Sequence, residues 1–209
     1  GDAKQRANDA DSYNDALSVQ VNYKGMGLTE ALIAPVTQID RDLTASVTID
    51  GVSVTKHLRQ STTYYVGEKG DELADYTVNY RSDGGTIRSA SVNFYGDSRS
   101  RAVKSDSQDQ LSAAVNYRNY KRGSGTVQQG DTDPLMADGT ALNDTVFLQK
   151  IESVTSVADN FTLTDVHVTV PNPVSGGPPI PYTLTRGLRQ SVTFYAGEKG
   201  DEVIDSVWS

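Results

Sequence analysis

The chain has 209 residues, of which 36% are hydrophobic and 22% charged, with a formal net charge of -8 and no cysteine. That length holds one large β domain or two domains of roughly 100 residues. The acidic balance excludes a protein that neutralises phosphates along a nucleic acid. The missing cysteines exclude disulfide staples, thiolate metal sites and cysteine nucleophiles, and no apolar run approaches the roughly 18 residues of a membrane span.

In chain order, residues 1–14 (GDAKQRANDADSYN) carry no strand pattern and read as a flexible N-terminal arm. A first module is expected over 15–104. It opens with DALSVQVNYKG, where Val19, Val21 and Tyr23 share one face by the two-residue period of a strand. LTEALIA, near 28–34, has the pattern of one or two helical turns. Val47 and Ile49 then mark a strand, and Thr62, Tyr64 and Val66 share the inward face of another. GEKG at 67–70 is a turn, with glycine at both ends to allow positive φ. RSDGG at 81–85 joins DYTVNY to TIRSASVNFYG as a hairpin.

The polar stretch at 98–108 is the expected boundary, and a second module is expected over 105–209. It opens with DQLSAAVNYRN and carries long loops at 123–145 and 171–181. Val168 and Val170 repeat the pattern of Val47 and Ile49, and Val192, Phe194 and Ala196 form the next inward face.

An internal repeat underlies this division. LRQSTTYYVGEKGDELAD at 58–75 matches LRQSVTFYAGEKGDEVID at 188–205 in thirteen positions, at a constant offset of 130. DALSVQVNYKG at 15–25 resembles DQLSAAVNYRN at 109–119, now at an offset of 94. The extra loop of the second copy accounts for the change of offset. The fold class implied is all-β: tandem immunoglobulin-like or jelly-roll-like β-sandwich modules related by internal duplication. A single sheet system shared by both copies is the alternative. The Val/Thr alternation with Gly-rich turns resembles the immunoglobulin-like repeats of phage and bacterial surface proteins.

After their shared turn the two copies differ. The first continues through DYTVNYRSDGGTIRSASVNFYG, room for two strands, whereas the second has VIDSVWS. An edge left open there exposes unpaired backbone groups and a strip of core. Its expected repair is a strand from another subunit or from the N-terminal region. The expected interface is therefore Val203, Ile204, Val207 and Trp208, the last reading as a plug for the second module or as an interface anchor.

Candidate chemistry is sparse. Glu68, Lys69, Asp71 and Glu72 recur as Glu198, Lys199, Asp201 and Glu202. Duplicated carboxylates can hold Ca²⁺, but that ion wants six to eight oxygens. The better reading is a charged turn whose acidic side chains accept from backbone amides, with Arg59 and Arg189 pairing across the sheet. Asp131, Asp133 and Asp138 lie close together before Gly139, yet lack the spacing of an EF-hand loop. They are weak Ca²⁺ candidates, and no other cofactor is implied. His57 and His167 occupy no equivalent positions, and no nucleophile elbow, phosphate loop or zinc-protease motif occurs. Asn143 and Asn160 head N-glycosylation sequons.

The function expected is a non-enzymatic structural subunit of a multimeric extracellular, cell-surface or virion assembly, such as a capsid, tail, decoration protein or surface filament. It would be held by β-module contacts and self-association. The alternative is an adhesion or carbohydrate-binding module pair, presenting loops 123–145 and 171–181 to a glycan or receptor.

Overall fold

The computed structural model describes residues 15–25, 43–49, 51–120, 135–136, 142–170 and 180–209. These form thirteen strands and one short α-helix, a mostly β fold with three sheets. The strands are β1 (Val19–Tyr23), β2 (Thr44–Ile49), β3 (Val52–His57), β4 (Arg59–Val66), β5 (Leu73–Tyr80), β6 (Ile87–Tyr95) and β7 (Ser100–Arg101). A 3-10 turn (Ala102–Lys104) follows, then β8 (Leu111–Arg118), β9 (Leu135–Met136) and helix α1 (Asp144–Glu152). The chain closes with β10 (Thr162–Val170), β11 (Ile180–Gly187), β12 (Arg189–Ala196) and β13 (Val203–Trp208).

The main sheet runs β1-β4-β5-β6-β8-β12-β13, with β7 added beside β6. Each neighbouring pair along it is antiparallel. Strands of both repeats therefore lie in one sheet, the arrangement raised above as the alternative to separate ones. They meet where β6 pairs β8, with Val92 opposite Val115 and Phe94 opposite Ala113. Two smaller sheets, β2-β3 and β11-β10-β9, stand off this path.

Alternation along the strands explains why one face of the main sheet is apolar. Tyr76, Val78, Ala90, Val92, Phe94, Ala113, Val115, Tyr117 and Val192 are buried in a common core, against which Tyr64 and Phe194 pack. Phe147 and Ile151, one helical turn apart on α1, join that core from above the sheet, with Leu142, Val154, Leu163 and Leu188. The other strand positions carry short polar side chains that bond across the ladder. Asn22 donates to Ser61 at 3.1 Å, Thr63 and Thr77 share a bond of 3.0 Å, and Asn116 donates to Ser191 at 3.1 Å.

Helix α1 begins within the long loop expected at 123–145, taking up its last two residues, where no helix is expected from the sequence. At nine residues it is too short to persist alone. Three local features hold it in place. The Asn143 side chain accepts from the Val146 amide at 2.9 Å. Asp144 and Lys150 sit at the dipole-favoured ends. Phe147 and Ile151 are fully buried. The LTEALIA segment at 28–34 lies outside the described residues.

A candidate assembly edge at the last strand

The repeated GEKGDE is a structural latch. Gly67 and Gly70 take φ of 121° and 86°, and Gly197 and Gly200 take 120° and 91°, so both copies turn alike. The Gly70 amide donates to Glu72 and the Gly200 amide to Glu202, each at 2.9 Å. The second carboxylate oxygen of Glu72 accepts from the Leu17 amide at 2.8 Å, and that of Glu202 from the Leu111 amide at 3.1 Å. Each turn thus clasps the residues leading into the first strand of its own repeat.

The Leu17 amide, acting first with Glu72's own amide, holds that carboxyl below the ordinary carboxylate value. Glu202 is likewise held low, by its own amide foremost and, against the opposing cost of desolvation, by those of Leu111 and Gly200. These are amide-accepting carboxylates, the role expected for an acidic hairpin turn. Arg59 donates to the Gly84 carbonyl at 2.7 Å and stacks over Tyr80, while Arg189 donates to the Val157 carbonyl at 3.0 Å.

The same latching recurs around the LRQS strands. The Lys24 amide donates to Leu58 and the Arg118 amide to Leu188, both at 2.8 Å. The Leu58 amide donates to Leu43 at 2.7 Å, and the Leu188 amide to Phe161 at 2.8 Å.

Where the two repeats differ is at the strand after the turn. β5 is sandwiched between β4 and β6, whereas β13 pairs only β12 and closes the main sheet among the described residues. At the offset of 130, Leu73 corresponds to Val203, Asp75 to Asp205 and Val78 to Trp208. Leu73 is 8% exposed, Val203 64%; Val78 is 1% exposed, Trp208 69%. Ile204 and Val207 are also exposed. The four residues expected to form an interface thus stand together on one edge strand, while of their counterparts in β5 Leu73 and Val78 are buried and Ala74 and Thr77 half-buried. Trp208 meets Phe194 edge-on, with ring centroids 6.3 Å apart, and most of the indole surface stays open.

The cover on β5 is specific. Leu73 packs in a small core with Tyr95 of β6 and Ala102 of the 3-10 turn. Arg101 places Nε 2.7 Å and Nη2 2.5 Å from the two oxygens of Asp75. Its remaining amino group donates to the carbonyls of Ile151 at 3.1 Å and Val154 at 2.8 Å, satisfying the end of α1. Asp205, the counterpart of Asp75, is exposed and among the described residues meets only the Ser206 hydroxyl, at 3.4 Å.

Arg101 sits in a stretch that reads in sequence as a polar boundary, so its burial is not anticipated there. An open cleft of roughly 720 Å³ adjoins this pair, lined by residues including Asp75, Arg99, Lys104, Glu152 and Thr155. Tyr76 donates to Glu152 at 3.3 Å beside it, and burial pushes the Tyr76 hydroxyl well above its ordinary pKa.

Asp131, Asp133 and Asp138 lie outside the described residues, as does most of loops 123–145 and 171–181. Among the described residues, no three His, Cys, Asp or Glu side chains converge as a metal shell. His57 lies at the end of β3 and His167 within β10. Both sequon asparagines serve the fold: Asn143 caps α1, and Asn160 accepts from the Arg189 amide at 3.0 Å. Among the described residues, no helix is long and apolar enough to cross a membrane. No protein-family model, curated protein or solved structure matches this chain.

Proposed function

We propose that this chain is a structural subunit of a multimeric extracellular, cell-surface or virion assembly, joined to its neighbours along the β13 edge. In this reading it performs no chemistry of its own. It is built from two copies of one unit, a first strand, a projecting hairpin, an LRQS strand and the strand after the turn, laid in one sheet with β6 between them. An immunoglobulin-type or jelly-roll form of each module would need a second sheet, for which the β2–β3 and β10–β11 hairpins are the available strands.

One observation carries the proposal: Val203, Ile204, Val207 and Trp208 are all exposed on a single edge strand. An edge strand offers unpaired amides and carbonyls to any passing chain, and soluble proteins ordinarily blunt such edges with lysine, proline or bulges. β13 carries neither lysine nor proline, and its only charged residue is Asp205. A bulge does interrupt its pairing with β12 between Phe194 and Tyr195, but four large apolar side chains remain in water. A neighbouring subunit that covers them removes apolar area from water and satisfies the strand's backbone.

Native mass spectrometry with negative-stain electron microscopy tests the proposal. Regular oligomers, filaments or shells are expected. A uniform monomer at every attainable concentration would count against it.

A further inference from the structure

Residues 101–111 form the joint between the two repeats and work in both directions. Backward, Arg101 pairs with Asp75 of β5, and Ala102 packs on Leu73. Forward, the Ser107 carbonyl accepts from Lys199, and the Leu111 amide donates to Glu202. The residues leading into β1 repeat this joint in sequence. Arg6-Ala7 and Asp11-Ser12 match Arg101-Ala102 and Asp106-Ser107 at an offset of 95, and Leu17-Ser18 match Leu111-Ser112 at 94.

The forward half of that second joint exists within the chain, since the Leu17 amide donates to Glu72 as the Leu111 amide does to Glu202. The backward half calls for an aspartate on a β5-type strand. Two such strands exist: Asp75 already holds Arg101, which leaves Asp205 on β13, with Val203 beside it in the place of Leu73.

Geometry decides which molecule supplies the arginine. Arg101 precedes β8 and reaches β5, two positions away in the sheet. Arg6 precedes β1, but in one chain five strands separate β1 from β13. Among the described residues no strand stands beyond β13 in the place that β6 takes beside β5, so a segment from another molecule can lie directly on that edge.

We infer that residues Arg6–Ser12 of a second copy dock on β13, with Arg6 pairing with Asp205 and Ala7 packing against Val203, so that copies join head to tail. This rests on the assembly reading above and names its contact. An arrangement of this kind uses two different surfaces of each copy and propagates as a filament unless its rotation closes a ring. The acidic Asp205 on an otherwise apolar edge acts as a register key: an unpaired carboxylate disfavours other strands, and an arginine at the right position favours this one.

Sedimentation velocity over a range of concentration, on the full chain, tests the contact. Arg6→Asp and Asp205→Arg should each weaken self-association at least about tenfold. The double swap R6D/D205R should recover most of it, because every junction then holds the reversed pair. Far-UV circular dichroism checks that each variant folds, and Asp205 is exposed, so its replacement leaves the core untouched. Self-association unmoved by either reversal, or not recovered by the double swap, overturns this contact while leaving assembly itself standing. Reversals that lower the stability of a monomer equally at all concentrations place the segment on its own chain and also overturn it. A wild-type chain that stays monomeric removes both the contact and the assembly reading.

Discussion

Arg101 and Asp75 form a two-pronged ion pair with both side chains buried, and the same guanidinium holds the carbonyls of Ile151 in α1 and of Val154 just beyond it. One side chain therefore ties β5, the joint between the repeats and the helix over the sheet. A buried pair of this kind adds little over an apolar substitute, but breaking it is costly, because the remaining charge stays buried without a partner. Arg101→Met is expected to destabilise the chain by about 3–5 kcal/mol. Asp75→Asn, which keeps an acceptor for the guanidinium, should cost less. Urea denaturation of the two variants checks the ranking.

The two GEKGDE turns make a second prediction. A Cβ on Gly67 would lie 2.6 Å from the Asp71 carbonyl oxygen, and one on Gly197 2.7 Å from that of Asp201, both on backbone that already disfavours a side chain. Gly70 and Gly200 have positive φ but open space around them. Gly67→Ala and Gly197→Ala should therefore each cost about 1–3 kcal/mol, and Gly70→Ala about 1 kcal/mol. Equal losses at Gly67 and Gly70 in thermal melts would mean that the contact with the Asp71 carbonyl does not matter.

Acid should loosen both latches. Glu72 and Glu202 are held below the ordinary value of 4.5 by amide donors. Unfolding restores the ordinary value, so the unfolded chain binds protons first as pH drops. The stabilisation from these carboxylates is then fully present above about 4.5 and fades as pH falls through the lower folded values. Thermal midpoints measured from neutral pH downward should fall over that range. The paired substitution Glu72→Gln with Glu202→Gln should flatten part of the fall.

Charge placed on the open edge should separate assembly from folding. Ile204 is 63% exposed, so Ile204→Lys removes no core contact, while a lysine on an edge strand opposes pairing with another chain. Its urea midpoint should match the unsubstituted protein, and its self-association should be lost. A lowered midpoint would mean that Ile204 supports the fold itself.

Much of the strand layout is legible in the sequence, for physical reasons that can be named. The alternation of Val192, Phe194 and Ala196 marks an inward face because strand side chains alternate; Val192 is buried and Phe194 packs on the core, but Ala196 at the strand's end is exposed. The RSDGG hairpin follows from turn chemistry, with the Asp83 carboxylate accepting from the amides of Gly85 and Thr86 at 3.1 and 2.8 Å.

What the sequence hides is long-range. The pairing of β6 with β8 joins both repeats in one sheet, and no local pattern distinguishes a strand that pairs within its repeat from one that pairs across. Helix α1 fully buries only Phe147 and Ile151, with Val146 and Leu148 partly covered beside them, and its nine residues are too few for a periodic signal. Arg101 reads as a surface charge in a polar stretch. Only its echo at Arg6, with Asp75 echoed at Asp205, marks the position as part of a repeated joint.

The most direct measurement is hydrogen–deuterium exchange on residues 203–208, compared with residues 73–80, as protein concentration rises. If β13 receives a strand from a second copy, its amides that face away from β12 exchange fast in dilute protein and become protected as oligomers form, approaching the protection of β5. If oligomers form while residues 203–208 stay as exposed as in dilute solution, the β13 edge is not where the subunits meet.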